Sequence, residues 1–157
     1  MKKIMFNDKY GLTTAVLEGR KTMTRRLYSS IKPAPFLLNE GPTAIAQPYK
    51  DIEGLENMKD EAGYNNKMFV KASLMPHQLM MKNMSYQKLR DISDEDCLRE
   101  GIIVGFVDGV EVYYSHSGSR PFNTPREAVA DLIDKVCGKG TWDYNPYVIV
   151  YTFELVK

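Results

Sequence analysis

The sequence predicts a single mixed α+β domain, residues 1–157, built around a small sheet or barrel. Three observations carry that expectation. Short stretches with strand character, at 3–6, 43–46, 67–72, 77–86, 102–114 and 147–156, are separated by helical spacing instead of running together. A chain of 157 residues suits one core that removes roughly 70% of the unfolded surface. Hydrophobic residues at 43% and charged residues at 26%, with no repeat or low-complexity tract, match an ordinary globular domain.

Lys3 to Phe6 reads as an opening strand, and Asn7 or Asp8 as the cap of a helix whose apolar face is Leu12, Ala15 and Val16. Gly19 suits the left-handed position just past that helix. From 28 to 66 the pattern weakens under Pro33, Pro35, Pro42 and Pro48, with only Thr43 to Ala46 strand-like. This is a long irregular insertion, either a lid or a surface loop. Lys67 to Ala72 reads as a strand. His77 to Tyr86 reads as another, with Leu79, Met81 and Ser85 on one side and Gln78, Met80, Met84 and Tyr86 on the other.

Ser93 followed by Asp94, Glu95 and Asp96 opens a short helix with Leu98 inward, ended by Glu100-Gly101. Ile102 to Tyr114 is a hairpin turning at Asp108-Gly109, and 115–123 is a polar loop. Thr124-Pro125-Arg126-Glu127 combines a cap, an N1 proline and an acidic N3 residue, with Ala128, Leu132, Ile133 and Val136 as the buried face. Gly138 and Gly140 end that helix, 141–146 is a loop, and Tyr147 to Val156 alternates as the closing strand.

A formal charge of +1, from 21 basic and 20 acidic residues, supplies no bulk attraction to polyanions, so any such affinity must be local. The one dense cluster is Arg20-Lys21-Thr22-Met23-Thr24-Arg25-Arg26, with four cations and two threonines in seven positions. Such donors suit phosphate or another oxygen-rich ligand. The cluster follows a helix C-terminus and contains a single glycine upstream, so a phosphate-binding P-loop does not fit. In a regular strand Lys21 and Thr24 would face opposite ways; a shared site requires the chain to turn or bulge between Arg20 and Thr24.

Glu100 is a second candidate, because a carboxylate at a helix C-terminus opposes the dipole and calls for a nearby cation. Trp142 and Asn145 form a third: the tryptophan either stacks on a base or covers one end of the sheet. Cys97 and Cys137 read as free thiols, the two histidines have no metal spacing, and no metal or cofactor is implied. The apolar run in 1–7 is too short for a signal peptide and no stretch reaches the ~20 residues that span a bilayer. The expectation is a cytoplasmic protein without a membrane association.

Gly19-Arg20-Lys21-Thr22-Met23-Thr24-Arg25-Arg26, then Ile92 to Glu100-Gly101-Ile102, then Trp142…Asn145-Pro146-Tyr147-Val148 resemble, in order, three signatures of the ASCH domains, a branch of the PUA-like fold. The resemblance implies a small mixed β-barrel flanked by helices, binding RNA, a nucleotide or a modified nucleoside in a cleft. Lys21, Thr24 and Glu100 would line it, with Arg20, Thr22, Arg25, Arg26, Trp142 and Asn145 as further ligand contacts. Some similar compact members hydrolyse the amide of acetylcytidine, which would make Thr24 the nucleophile, Lys21 its base and Glu100 a proton shuttle. The long insertion departs from the family pattern and opens a third reading, a protein-interaction module using 28–66.

Overall fold

The computed structural model describes residues 2–28, 41–56 and 66–156, so most of the irregular insertion lies outside the described residues. The fold is mixed α+β, with eight strands in two open sheets and no closed barrel among the described residues. Strand β1 is Lys3–Ile4, helix α1 Leu12–Leu17, β2 Met23–Leu27, β3 Thr43–Ile45 and β4 Gln78–Lys88. Then come α2 Asp94–Arg99, β5 Ile103–Val107, β6 Val110–Tyr114, β7 Pro121–Phe122, α3 Pro125–Cys137, α4 Thr141–Tyr144 and β8 Tyr147–Leu155. The larger sheet runs β1-β3-β4-β8-β2, antiparallel except for β1 with β3. The smaller runs β5-β6-β7.

β8 is the centre of the larger sheet, paired with β4 on one side and β2 on the other. Its residues Val148, Ile149, Val150 and Tyr151 are all buried, so it is covered on both faces instead of alternating between core and solvent. The main core joins this strand to Leu12 and Val16 of α1, Cys97 of α2, and Ala128, Val129, Leu132 and Ile133 of α3. A smaller cluster of Ala44, Ala46, Ile52, Val70 and Met75 covers the other side of β3.

Local chemistry explains the best-defined boundaries. Thr124 Oγ1 accepts from Glu127 N and Ser93 Oγ from Asp96 N, fixing the starts of α3 and α2. Asp108 and Gly109 both have positive φ, 51° and 78°, as the tight two-residue turn between β5 and β6 requires.

Several expected elements differ. α1 starts at Leu12, because residues 7–11 first close a separate turn: Asn7 Oδ1 accepts from Tyr10 N and Asp8 Oδ1 from the Thr13 hydroxyl. Residues 67–72 are not a strand. Their carbonyls turn onto the Lys3 ammonium, which donates to Lys67, Met68 and Val70 oxygens at 3.1, 2.8 and 2.7 Å. In β4 a register shift between Met81 and Asn83 changes the inward set, so Met84 joins the core and Ser85 is exposed.

On α2 Cys97 packs into the core, leaving Leu98 39% exposed. On α3 Val129 replaces Val136 in the buried face, and Val136 looks into a cavity. The polar loop at 115–123 contains β7, and the loop expected at 141–146 contains the short α4. No helix among the described residues is long and apolar enough to cross a membrane.

Candidate functional site

α1 ends in a Schellman turn. Gly19 takes φ 78°, Gly19 N donates to Val16 O, and Arg20 N and Lys21 N both reach Ala15 O. The chain leaves this turn beside the end of α2, where Thr22 N donates to Arg99 O and Lys21 forms an isolated antiparallel bridge with Glu100. Lys21 therefore lies outside β2, which begins at Met23, and strict strand alternation does not separate it from Thr24. Gly101, with φ 103°, permits the close approach: a Cβ there would lie 3.2 Å from Lys21 Cβ and 3.3 Å from Ala15 Cβ.

Lys21 and Glu100 are 3% and 4% exposed. The Lys21 ammonium donates to Glu100 Oε2 and to the Glu100 carbonyl, each at 3.0 Å. The other carboxylate oxygen of Glu100 accepts from Arg25 Nη1. Thus one carboxylate serves two buried cations, the compensation that a glutamate at a helix end calls for. Arg25 Nη2 lies 3.5 Å from Asp96 Oδ2, yet Nε and Nη2 are buried without a hydrogen-bond partner.

Thr24 is 5% exposed and its hydroxyl accepts from Arg26 Nε at 3.1 Å. Arg26 also donates through Nη2 to the Met5 carbonyl, and its guanidinium lies 5.4 Å from the Phe6 ring centre.

Lys21, Thr24, Arg25, Arg26 and Glu100 line one cavity of about 390 Å³, whose apolar walls include Phe6, Leu12, Leu132, Ile133 and Val136. Desolvation lowers the Lys21 pKa from its ordinary value; Glu100 opposes the shift, while Arg26 and Arg25 assist it. Arg26 is also pressed toward its neutral form by desolvation, again opposed by Glu100. Burial raises the Cys137 thiol at the cavity wall, and pushes Cys97 behind α2 up to about 12. Both are free thiols and poor nucleophiles under these conditions.

The remaining sequence candidates lie elsewhere, outside this cavity lining. Arg20 pairs with Glu18 and donates to Gly101 O, while the Thr22 hydroxyl accepts from Arg99 Nε. Trp142 packs on the core, its amide donates to Asp134, and Arg126 covers its ring at 5.1 Å. Asn145, in the left-handed conformation, accepts from Arg90 N and ties α4 to the turn before α2. These four residues make structural contacts at two seams of the fold.

The sequence gives no sign that the apolar walls face a cavity or that Asp96 partners Arg25. The walls carry the same helical spacing as any core face. Asp96 had only its capping position to distinguish it. Among the described residues no group of three His, Cys, Asp or Glu is placed to hold a metal. Comparison with protein-family models, with curated proteins and with solved structures gives no match for this chain.

Proposed function

We propose that this chain is a PUA-like domain of the ASCH type that binds RNA, a nucleotide or a modified nucleoside in the cavity beside β2. The observation that carries the reading is the convergence of Lys21, Thr24 and Glu100 on one hollow. Glu100 comes from a chain position far from Lys21 and Thr24, and the three motifs occur in the family's order. A volume of about 390 Å³ lies at the small end of the ~300–1,000 Å³ typical of ligand pockets. It favours one nucleoside unit over a length of polymer. The polar end offers ammonium, guanidinium, hydroxyl and carboxylate groups to a base edge, and the apolar walls suit its faces.

Titration of a panel of nucleosides, nucleotides and short RNAs, followed by amide chemical shifts, tests this. Shifts should centre on Lys21, Thr24, Glu100 and Cys137. Saturable shifts confined to the Trp142–Asn145 corner, or none anywhere, would remove the proposal.

A second reading, hydrolysis of an N-acylated nucleoside such as acetylcytidine, is favoured by one observation. The cavity holds a hydroxyl, a lysine with depressed pKa and a carboxylate together. In this arrangement Lys21 bonds to Glu100, and the Thr24 hydroxyl to Arg26. Attack would therefore require Lys21 to pass a proton to Glu100 and its neutral amine to reach the Thr24 hydroxyl, whose proton it would accept. Acetate release that disappears in Thr24→Ala, with the thermal midpoint unchanged, supports this reading. No release with the native protein rejects it. The interaction-module reading rests on residues that fall largely outside the described ones.

A further inference from the structure

We infer that the ligand of this cavity is an anion, with a phosphate or carboxylate group seated on Arg26. The inference rests on the nucleoside reading above and narrows it, favouring a charged nucleotide over a neutral nucleoside.

The cavity wall carries three cationic side chains, Lys21, Arg25 and Arg26, and one carboxylate, Glu100. Both Glu100 oxygens are engaged, one by Lys21 and one by Arg25. The next carboxylate, Asp96, is shared between Arg25 and Arg99. Arg26 has no carboxylate within ion-pair distance among the described residues. Its donors go to two neutral oxygens, the Thr24 hydroxyl and the Met5 carbonyl, and its flat face to Phe6. These contacts orient the guanidinium without neutralising it.

Arg26 is half-buried, and a charge partly removed from water gains from an opposite partner. A guanidinium held in one orientation loses little freedom on meeting an oxyanion, whose paired oxygens match its fork. Arg25 adds two buried nitrogens, Nε and Nη2, that lack hydrogen bonds. The surplus of positive charge thus sits within one hollow on a chain whose formal charge is only +1.

The test is titration of the native protein with inorganic phosphate and, separately, with acetate, both at constant ionic strength. The Arg26 Nε–H resonance and the thermal midpoint are followed. A saturable change with one anion and not the other separates phosphate from carboxylate chemistry. Cytidine and cytidine 5′-monophosphate are then compared by calorimetry. The expected results are a saturable shift at Arg26 and at least a tenfold preference for the monophosphate. That preference should fall to within twofold in Arg26→Gln and be partly kept in Arg26→Lys.

No saturable anion effect on the Arg26 signal overturns the inference, and that measurement needs no variant. So does equal binding of cytidine and its monophosphate, or a preference that survives Arg26→Gln. Anion binding with no contribution from the nucleoside would instead remove the nucleoside reading and leave the anion site standing.

Discussion

Replacing Glu100 with glutamine should destabilise the fold far more than an ordinary polar substitution. The change keeps the side chain's size and removes its charge. Lys21 and Arg25 side chains are 3% and 0% exposed, so solvent cannot take over the lost role. Removing one partner of a buried pair costs roughly 3–5 kcal/mol. For a domain of this size each kcal/mol shifts the midpoint by about 2–4 °C, which gives a fall of roughly 6–20 °C.

The pH dependence adds a second signature. Glu100 is what holds the Lys21 pKa up against desolvation. In Glu100→Gln the lysine should therefore lose its proton at lower pH than in the native protein. Since the neutral amine suffers less from burial, the deficit should shrink as pH rises toward 10.5, the ordinary lysine value. Circular dichroism melts and urea titrations across that range measure both effects.

A double-mutant cycle with Lys21→Met isolates the pair. Glu100→Gln should cost less in that background, with a coupling of about 1–3 kcal/mol. A loss under about 1 kcal/mol in the native background, or the same loss in both backgrounds, would refute the view that this carboxylate holds the buried cations.

Four further outcomes follow from the structure. Because burial raises Cys97 from 9.0 to about 12, its contribution to stability is intact below pH 9 and disappears as pH climbs through about 12. Cys97→Ala should flatten that alkaline decline in thermal melts. Lys21 acts with opposite sign: its folded pKa lies below 10.5, the unfolded chain binds more protons in that interval, and stability rises with pH there until Lys21→Met removes the trend. Gly101→Ala should cost about 1–3 kcal/mol through its positive φ, and should weaken ligand binding by pushing on Lys21; wild-type affinity in that variant would show the close approach to be dispensable. Thr124→Ala should cost about 1 kcal/mol in urea unfolding while leaving binding unchanged, since it caps α3 at the end remote from the cavity-lining Val136 and Cys137.

The parts of this fold that were legible in the sequence are those governed by neighbouring residues. The Thr124 cap, the Asp108-Gly109 turn, the Gly19 helix exit and the Ser93 cap each depend on a few consecutive positions, and each forms where expected. Expectations failed where a distant group took control. Residues 67–72 alternate like a strand, but the Lys3 ammonium gathers their carbonyls. Leu98 has the right hydrophobicity to face inward, yet the tertiary packing of α2 selects Cys97.

The same division runs through the candidate site. Lys21, Thr24 and Glu100 stood out by type and position and line one cavity, whereas Trp142 and Asn145 lie outside that lining, in contact with α3 and with the turn before α2. A lone tryptophan in a polar stretch gives no sign that an arginine in the first turn of the neighbouring helix will cover it. Nor does a basic run reveal which of its arginines will be paired. Arg25 and Arg26 are adjacent in sequence, and only the register of β2 directs one toward α2 and the other toward Phe6.

The position of β8 has a consequence for biosynthesis. Among the described residues β2 has no neighbour in its sheet except β8, so the strand bearing Thr24 and Arg26 takes its ladder partners from residues 147–155. During translation some 120 residues separate the emergence of these two strands, as their positions in the sequence require. The wall of the cavity is therefore among the last surfaces a nascent chain can complete. A ribosome stalled before β8 would leave β2 without its strand partner, even with Glu100 already made.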